Sequence, residues 1–135
     1  MLKKTKTGYY VSEKFAHQKD LIHSFSTRQF GDLRSTPDCL PILFYDPIAK
    51  IIGVAHAGWQ GILKLIVQQM IELMVKMGAI PENILVAVGP HIGGCCYNID
   101  SSSLCTSCQN NEFFSYRKNR EKNFGEMLSV ISLTK

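Results

Sequence analysis

No stretch of this chain reaches the roughly 18 consecutive apolar residues that a membrane-spanning helix needs. The first twenty residues are lysine-rich but lack the apolar core of about 7–15 residues that marks a secretory signal. Cysteine occurs in an odd number, five, and two of the five are adjacent, Cys95 and Cys96. That pattern does not read as the framework of a secreted disulfide protein. It points to a reducing, cytoplasmic home. The excess of one sign of charge is small, with 15 Lys and Arg against 11 Asp and Glu. The net charge is +4, with Lys3, Lys4, Lys6, Lys14 and Lys19 early and Arg117, Lys118, Arg120 and Lys122 late. These cations favour an anionic ligand or are ordinary solvated faces. No aromatic-rich basic motif of an RNA reader accompanies them. The expected partners therefore include no nucleic acid and no membrane. Internal repeats are absent, as is any composition shift that would mark a domain boundary.

What is present is a globular composition. The chain has 135 residues, 45% of them hydrophobic and 19% charged. That suits one folded unit with one core, and residues 1–135 are expected to form it. Leu21 to Thr27 alternates partly and reads as a strand. Leu40 to Tyr45 and Lys50 to His56 are apolar runs that read as buried strands, joined by the turn residues Asp46-Pro47-Ile48-Ala49. Gln60 to Met77 reads as a helix, since Ile62, Leu65, Ile66, Met70, Leu73, Met74 and Met77 recur at spacings of three and four. Gly78 supplies a C-cap and Pro81 prevents continuation. Its apolar stripe reads as core packing. Ile84 to Val88 reads as a further strand, and Met127 to Leu133 as a β-leaning final short strand or, alternatively, a helix. Gly89-Pro90 and Gly93-Gly94 form a loop whose backbone can approach a ligand, and Ser101 to Asn111 reads as polar loop. The expected fold class is α/β, with a mixed sheet and both hairpin strands central because their continuous apolar character asks for cover on both faces.

The hairpin places chemistry at its open end. Cys39 precedes the first run and His56 closes the second. Paired antiparallel, the two runs bring these residues near one another, and a thiolate and an imidazole together suit zinc. Ala57 and Gly58 add no bulk around His56, and Gly58 and Gly61 permit close backbone approach. Two donors alone do not make a site. The competing reading is a buried small thiol and a satisfied imidazole. His91, in the glycine loop, and His23 and His17 are weaker candidates. Cys105-Thr106-Ser107-Cys108 has the spacing of zinc knuckles and redox pairs, but no second pair at zinc-ribbon spacing and no thioredoxin-like context accompany it. A loop-stabilising role is the simpler reading. Cys95 and Cys96 read as buried small residues.

The wording of several blocks carries a resemblance. Thr36-Pro37-Asp38-Cys39-Leu40-Pro41-Ile42-Leu43-Phe44-Tyr45-Asp46-Pro47, Ile52-Gly53-Val54-Ala55-His56-Ala57-Gly58-Trp59-Gln60-Gly61 and Val88-Gly89-Pro90-His91-Ile92-Gly93-Gly94-Cys95-Cys96-Tyr97 resemble signature blocks of one family. It is the multicopper polyphenol oxidase or laccase-domain family, also named for purine nucleoside phosphorylase and peptidoglycan editing. His23-Ser24-Phe25-Ser26-Thr27-Arg28 resembles its early strand. Cys105-Thr106-Ser107-Cys108 and Phe113-Phe114-Ser115-Tyr116-Arg117 resemble its late segment, and all blocks stand in family order.

The chain also departs from the family. The segment that normally precedes Asp38, with a Gln-Val-His-Gly motif and the first of three zinc ligands, is replaced by Gln29 to Ser35. A helical stretch is reduced to Asn98 to Leu104, and Gln60 stands where the family carries Arg. The resemblance therefore implies a shortened member.

The family's fold implies a layered α/β sandwich. Its metal ligands map onto Cys39 and His56, with no position for the third. The implied cofactor is Zn(2+), and the implied ligands are a purine nucleoside and phosphate. Two reactions follow, phosphorolysis and adenosine deamination. The resemblance puts Arg28 at the active-site face, where its guanidinium can hold phosphate, helped by N–H groups of the Gly89 to Gly94 loop. Asp38 is a candidate proton shuttle, or it orients a neighbouring backbone group. The family's oxidase name implies copper, but a Cys/His pair lacks the multi-His cluster that phenol oxidation needs. The missing ligand and Gln60 favour a second reading, an inactive remnant that acts, if at all, as a binding or structural protein.

Overall fold

The structure, a computed structural model, describes residues 1–27, 38–93, 105–109, 111–113, 115 and 129–134. Its strands are β1 (Leu2–Lys4), β2 (Tyr10–Ser12), β3 (Leu21–Phe25), β4 (Leu40–Asp46), β5 (Ile51–Ala57), β6 (Leu85–Val88) and β7 (Ser129–Leu133). Two α-helices, α1 (Trp59–Leu63) and α2 (Ile66–Lys76), and a 3-10 turn, Pro81–Asn83, lie between β5 and β6. One sheet has the order β1-β2-β3-β7 and the other β5-β4-β6. The fold is α/β, in three layers. Leu43, Tyr45 and Ala87 of the second sheet pack with Tyr10, Phe15, Leu21 and Phe25 from the first-sheet side, and with Phe113. The other face, with Ile42, Phe44, Ala55 and Ala57, packs on Met74 of α2.

The mixed sheet expected from sequence is not found: both described sheets are antiparallel. Every described ladder is antiparallel, while β5 and β6, both antiparallel to β4, run parallel to one another on either side of it. Such a pair needs a long crossover, usually helical, and α1 and α2 supply it. Only β4 is central. Leu43, Phe44 and Tyr45 are fully buried, as a strand covered on both faces requires. Among the described residues β5 is an edge strand instead, and Val54 and His56 on it are exposed. Its apolar run is divided: Ile51, Ala55 and Ala57 pack on the α2 side, while Ile52 packs on the inter-sheet core.

The turn holds as read. Asp46 is buried, and its Oδ1 accepts from the N–H of Ile48 and Ala49, at 2.8 and 2.9 Å. Its Oδ2 accepts from Ile80 N–H at 3.0 Å, pinning the chain after α2 to the hairpin. The helix expected over Gln60 to Met77 is broken. Leu65 takes a left-handed conformation, φ 55°, between α1 and α2. The stripe divides accordingly. Met74 is buried, while Leu65, Leu73 and Met77 are exposed. Gly78, at φ 109°, ends α2 in a Schellman motif: Ala79 N–H bonds Met74 O at 2.9 Å and Gly78 N–H bonds Val75 O at 3.0 Å. No helix among the described residues is long and apolar enough to cross a membrane.

Candidate functional site

The hairpin register sets the site. Pro41 pairs with His56 and Leu40 with Ala57, so Cys39 comes opposite Gly58. Side chains two residues apart share a face, which puts Cys39, Pro41, His56 and Gly58 on one side. Gly58 reports the thiol directly. A Cβ added there would lie 3.3 Å from Cys39 Sγ. Cys39 and His56 are thus diagonal neighbours on one face, a relation that spans about 7–8 Å between Cα atoms. Ala57 turns to the opposite face, against α2. Cys39 is half-buried and His56 exposed.

A hydrogen-bonded platform lies behind this pair. Gly89 N–H donates to Pro41 O at 2.9 Å, and Ile92 N–H donates to Asp38 O at 3.2 Å. His91 is buried, and its Nδ1 lies 2.8 Å from Gly89 O. A carbonyl only accepts, so the contact places a proton on Nδ1. Cys105 forms a parallel bridge with His91, and Thr106 N–H donates to His91 O at 2.9 Å. Asp38, the candidate shuttle, accepts from Thr106 Oγ1 at its Oδ1, 2.8 Å away. This platform was not legible in the sequence, because Asp38 and Thr106 are 68 residues apart. The expected ligand approach at Gly89 is taken by the protein itself. A side chain there would overlap the Phe25 ring.

The remaining candidates fall elsewhere. His23 is on β3, its Nε2 accepting from Ser12 N–H at 2.8 Å. Cys105 is buried and Cys108 exposed, on a turn closed by Gln109 N–H to Cys105 O. Arg28, Cys95 and Cys96 lie outside the described residues. Among the described residues, no group of three or more His, Cys, Asp or Glu is arranged to hold a metal ion. A soft thiolate and an imidazole on one face suit zinc, but the described donor set stops at two, short of the three protein ligands of catalytic zinc. An apolar groove of about 640 Å³, lined by Leu40, Ile42, Ala57, Ile62, Ile66 and Ile71 among others, opens on the α2 side. That is the other face of the hairpin from His56, so the groove and the thiol–imidazole pair do not share a wall of polar groups.

The sequence pattern of the family described as multi-copper polyphenol oxidoreductase laccase matches residues 25–103 and 98–134. The chain belongs to that family. The laccase-family chain is 45% identical over 64 residues to a purine nucleoside phosphorylase, YlmD, of Bacillus subtilis, covering 47% of this chain and 23% of that protein. It is 52% identical over 64 residues to a purine nucleoside phosphorylase of Deinococcus radiodurans, covering 47% of this chain and 25% of that one. Its fold matches the crystal structure of the hypothetical protein YfiH of Bacillus licheniformis, with a TM-score of 0.68 and 27% identity over 85% of this chain and 61% of that one. The matched stretch thus spans about a quarter of the length of these two curated relatives.

Proposed function

We propose that this chain, as one shortened laccase-family domain, acts on purine nucleosides by zinc-dependent phosphorolysis, with adenosine deamination as a second reaction. Two things support this reading. Relatives that match this chain over 64 residues are named purine nucleoside phosphorylases. The single structural observation that carries it is the register that puts the Cys39 thiol and His56 on one face. In this reading Cys39 and His56 hold the zinc. Bound zinc supplies Lewis acidity, lowering the pKa of a coordinated water toward about 7. Arg28 holds phosphate as a charge-assisted pair. Backbone N–H groups of the glycine loop assist, apart from those of Gly89 and Ile92, which already bond Pro41 and Asp38. A phosphate oxygen attacks C1′ of the ribose, the bond to the base breaks, and the base leaves with a proton. In deamination water adds at the purine C6 and ammonia leaves. Asp38 accepts or returns the proton in either case.

The two-donor set favours a second reading, a catalytically inactive remnant with a binding or structural role. Metal analysis and two assays separate them: base release from inosine or adenosine with phosphate, and ammonia release from adenosine. The expected result is bound zinc and weak turnover that Cys39→Ala abolishes. Arg28→Ala should depress phosphorolysis more than deamination, since only the former needs an anion. No zinc, and no turnover in either assay, establishes the remnant.

A further inference from the structure

Thr106 is fully buried, and its N–H and its hydroxyl are both spent on the two segments that form the site. Its N–H reaches His91 O at 2.9 Å and its hydroxyl reaches Asp38 Oδ1 at 2.8 Å. Asp38 is the residue before Cys39. Its carbonyl is bonded too, to Ile92 N–H at 3.2 Å. Cys39 itself lies one residue outside the ladder, which begins at Leu40 with Ala57. Strand pairing therefore fixes the chain on one side of Cys39, and Asp38 fixes it on the other. The hydroxyl donates to a carboxylate, and hydrogen bonds of that kind are roughly twice as strong as neutral ones. Thr106 in turn has little freedom of its own. Its turn is closed by Gln109 N–H to Cys105 O at 3.0 Å and bridged to His91 through Cys105.

We propose that Thr106 is a positioning residue for Cys39: its hydroxyl, through the Asp38 carboxylate, holds the Cys39 sulfur on the face it shares with His56. This rests on the reading of Cys39 as a metal donor, but its geometry does not require a metal. Outer partners that orient a ligand typically change metal affinity by about 10–100-fold when removed. Thr106 acts one residue further out, so the lower end of that range is expected.

The primary test is made on the protein stripped of metal with a chelator. Iodoacetamide alkylation of Cys39 is followed by peptide mass spectrometry at one fixed pH, in the wild type, Thr106→Val and Thr106→Ser. Thr106→Val keeps the bulk and removes the donor. Losing one charge-assisted bond should raise the Cys39 rate about tenfold. Thr106→Ser restores the hydroxyl and should return the rate close to wild type. Asp38→Asn keeps an acceptor but removes its charge, and should fall between; it also carries the test if Thr106→Val does not fold. Equal rates in all four proteins overturn the proposal. So does Thr106→Ser behaving like Thr106→Val, because then packing and not the hydroxyl matters. Cobalt titration of the same proteins tests the metal reading separately. A wild type that takes up no cobalt defeats that reading, while the alkylation rates still decide the role of Thr106.

Discussion

Single polar atoms hold much of this fold, and Asp46 is the clearest case. Burial pushes its carboxyl pKa up, but N–H groups of Ala49, Ile80 and Ile48 outweigh that and hold it below 3.8. Its stabilising effect is therefore complete above the ordinary carboxylate value and is lost as pH falls through the lowered one. Asp46→Asn sets an amide donor against one of these N–H donors. It should cost about 1–3 kcal/mol, read as a drop of several degrees in the thermal midpoint. His23 works in the opposite charge sense. Burial pushes its pKa below 6.5, and as acceptor from Ser12 N–H it would meet donor with donor once protonated. The unfolded chain then binds its proton first as pH falls. Stability is full above 6.5 and declines as pH drops from there toward the lowered value. Urea midpoints measured from about pH 7.5 to about pH 5 should slope downward in the wild type. They should slope less in His23→Gln, whose amide oxygen can still accept from Ser12.

Elements meet at glycines in two different ways. At Gly89 an added Cβ would overlap the Phe25 ring and lie 2.8 Å from Pro41 Cγ, so β3 and β4 both block it. At Gly53 the nearest atoms are the Met70 and Met74 sulfurs, at 3.0 and 3.2 Å. Thioether chains move readily; a ring wedged between two sheets does not. Gly89→Ala should destabilise by about 1–3 kcal/mol and Gly53→Ala much less, as denaturant midpoints will show. The hairpin was legible because Asp46-Pro47 is turn chemistry between two apolar runs, and the C-cap because Gly78 stands before Pro81. The break at Leu65 was not. Leucine favours helix, so nothing in its identity announces a left-handed residue. β1 and β2 were missed because three-residue strands among lysines carry too few positions to show an alternation. At the site, the sequence pointed to Cys39 and His56 through the hairpin that joins them, and the register sets the two on a common face. It had no means of pairing Asp38 with Thr106, whose meeting depends on the whole tertiary arrangement.

The molecule as a whole presents an uneven surface. Leu63 is 73% exposed and Leu65 60%, beside the apolar groove, while the inter-sheet core is closed by polar ties as well as by packing. Tyr10 donates to Glu112 at 3.0 Å, and Lys4 pairs with the same carboxylate. Burial, with Glu112 beside it, pushes the Tyr10 hydroxyl up to about 12, so that tie stays protonated at ordinary pH. Lys50 and the Tyr45 hydroxyl both bond Asp20, joining the hairpin turn to the start of β3. The sheet order has a further consequence, in time rather than in space. β3 lies between β2 and β7, and Leu21 pairs with Leu133. Almost the whole chain separates those partners, whereas β4 and β5 are joined by a short turn. Closing so large a loop is entropically slow. The hairpin bearing Cys39 and His56 can form early as the chain leaves the ribosome. One flank of β3 stays an unpaired edge, open to foreign strands, until the residues of β7 have been synthesised.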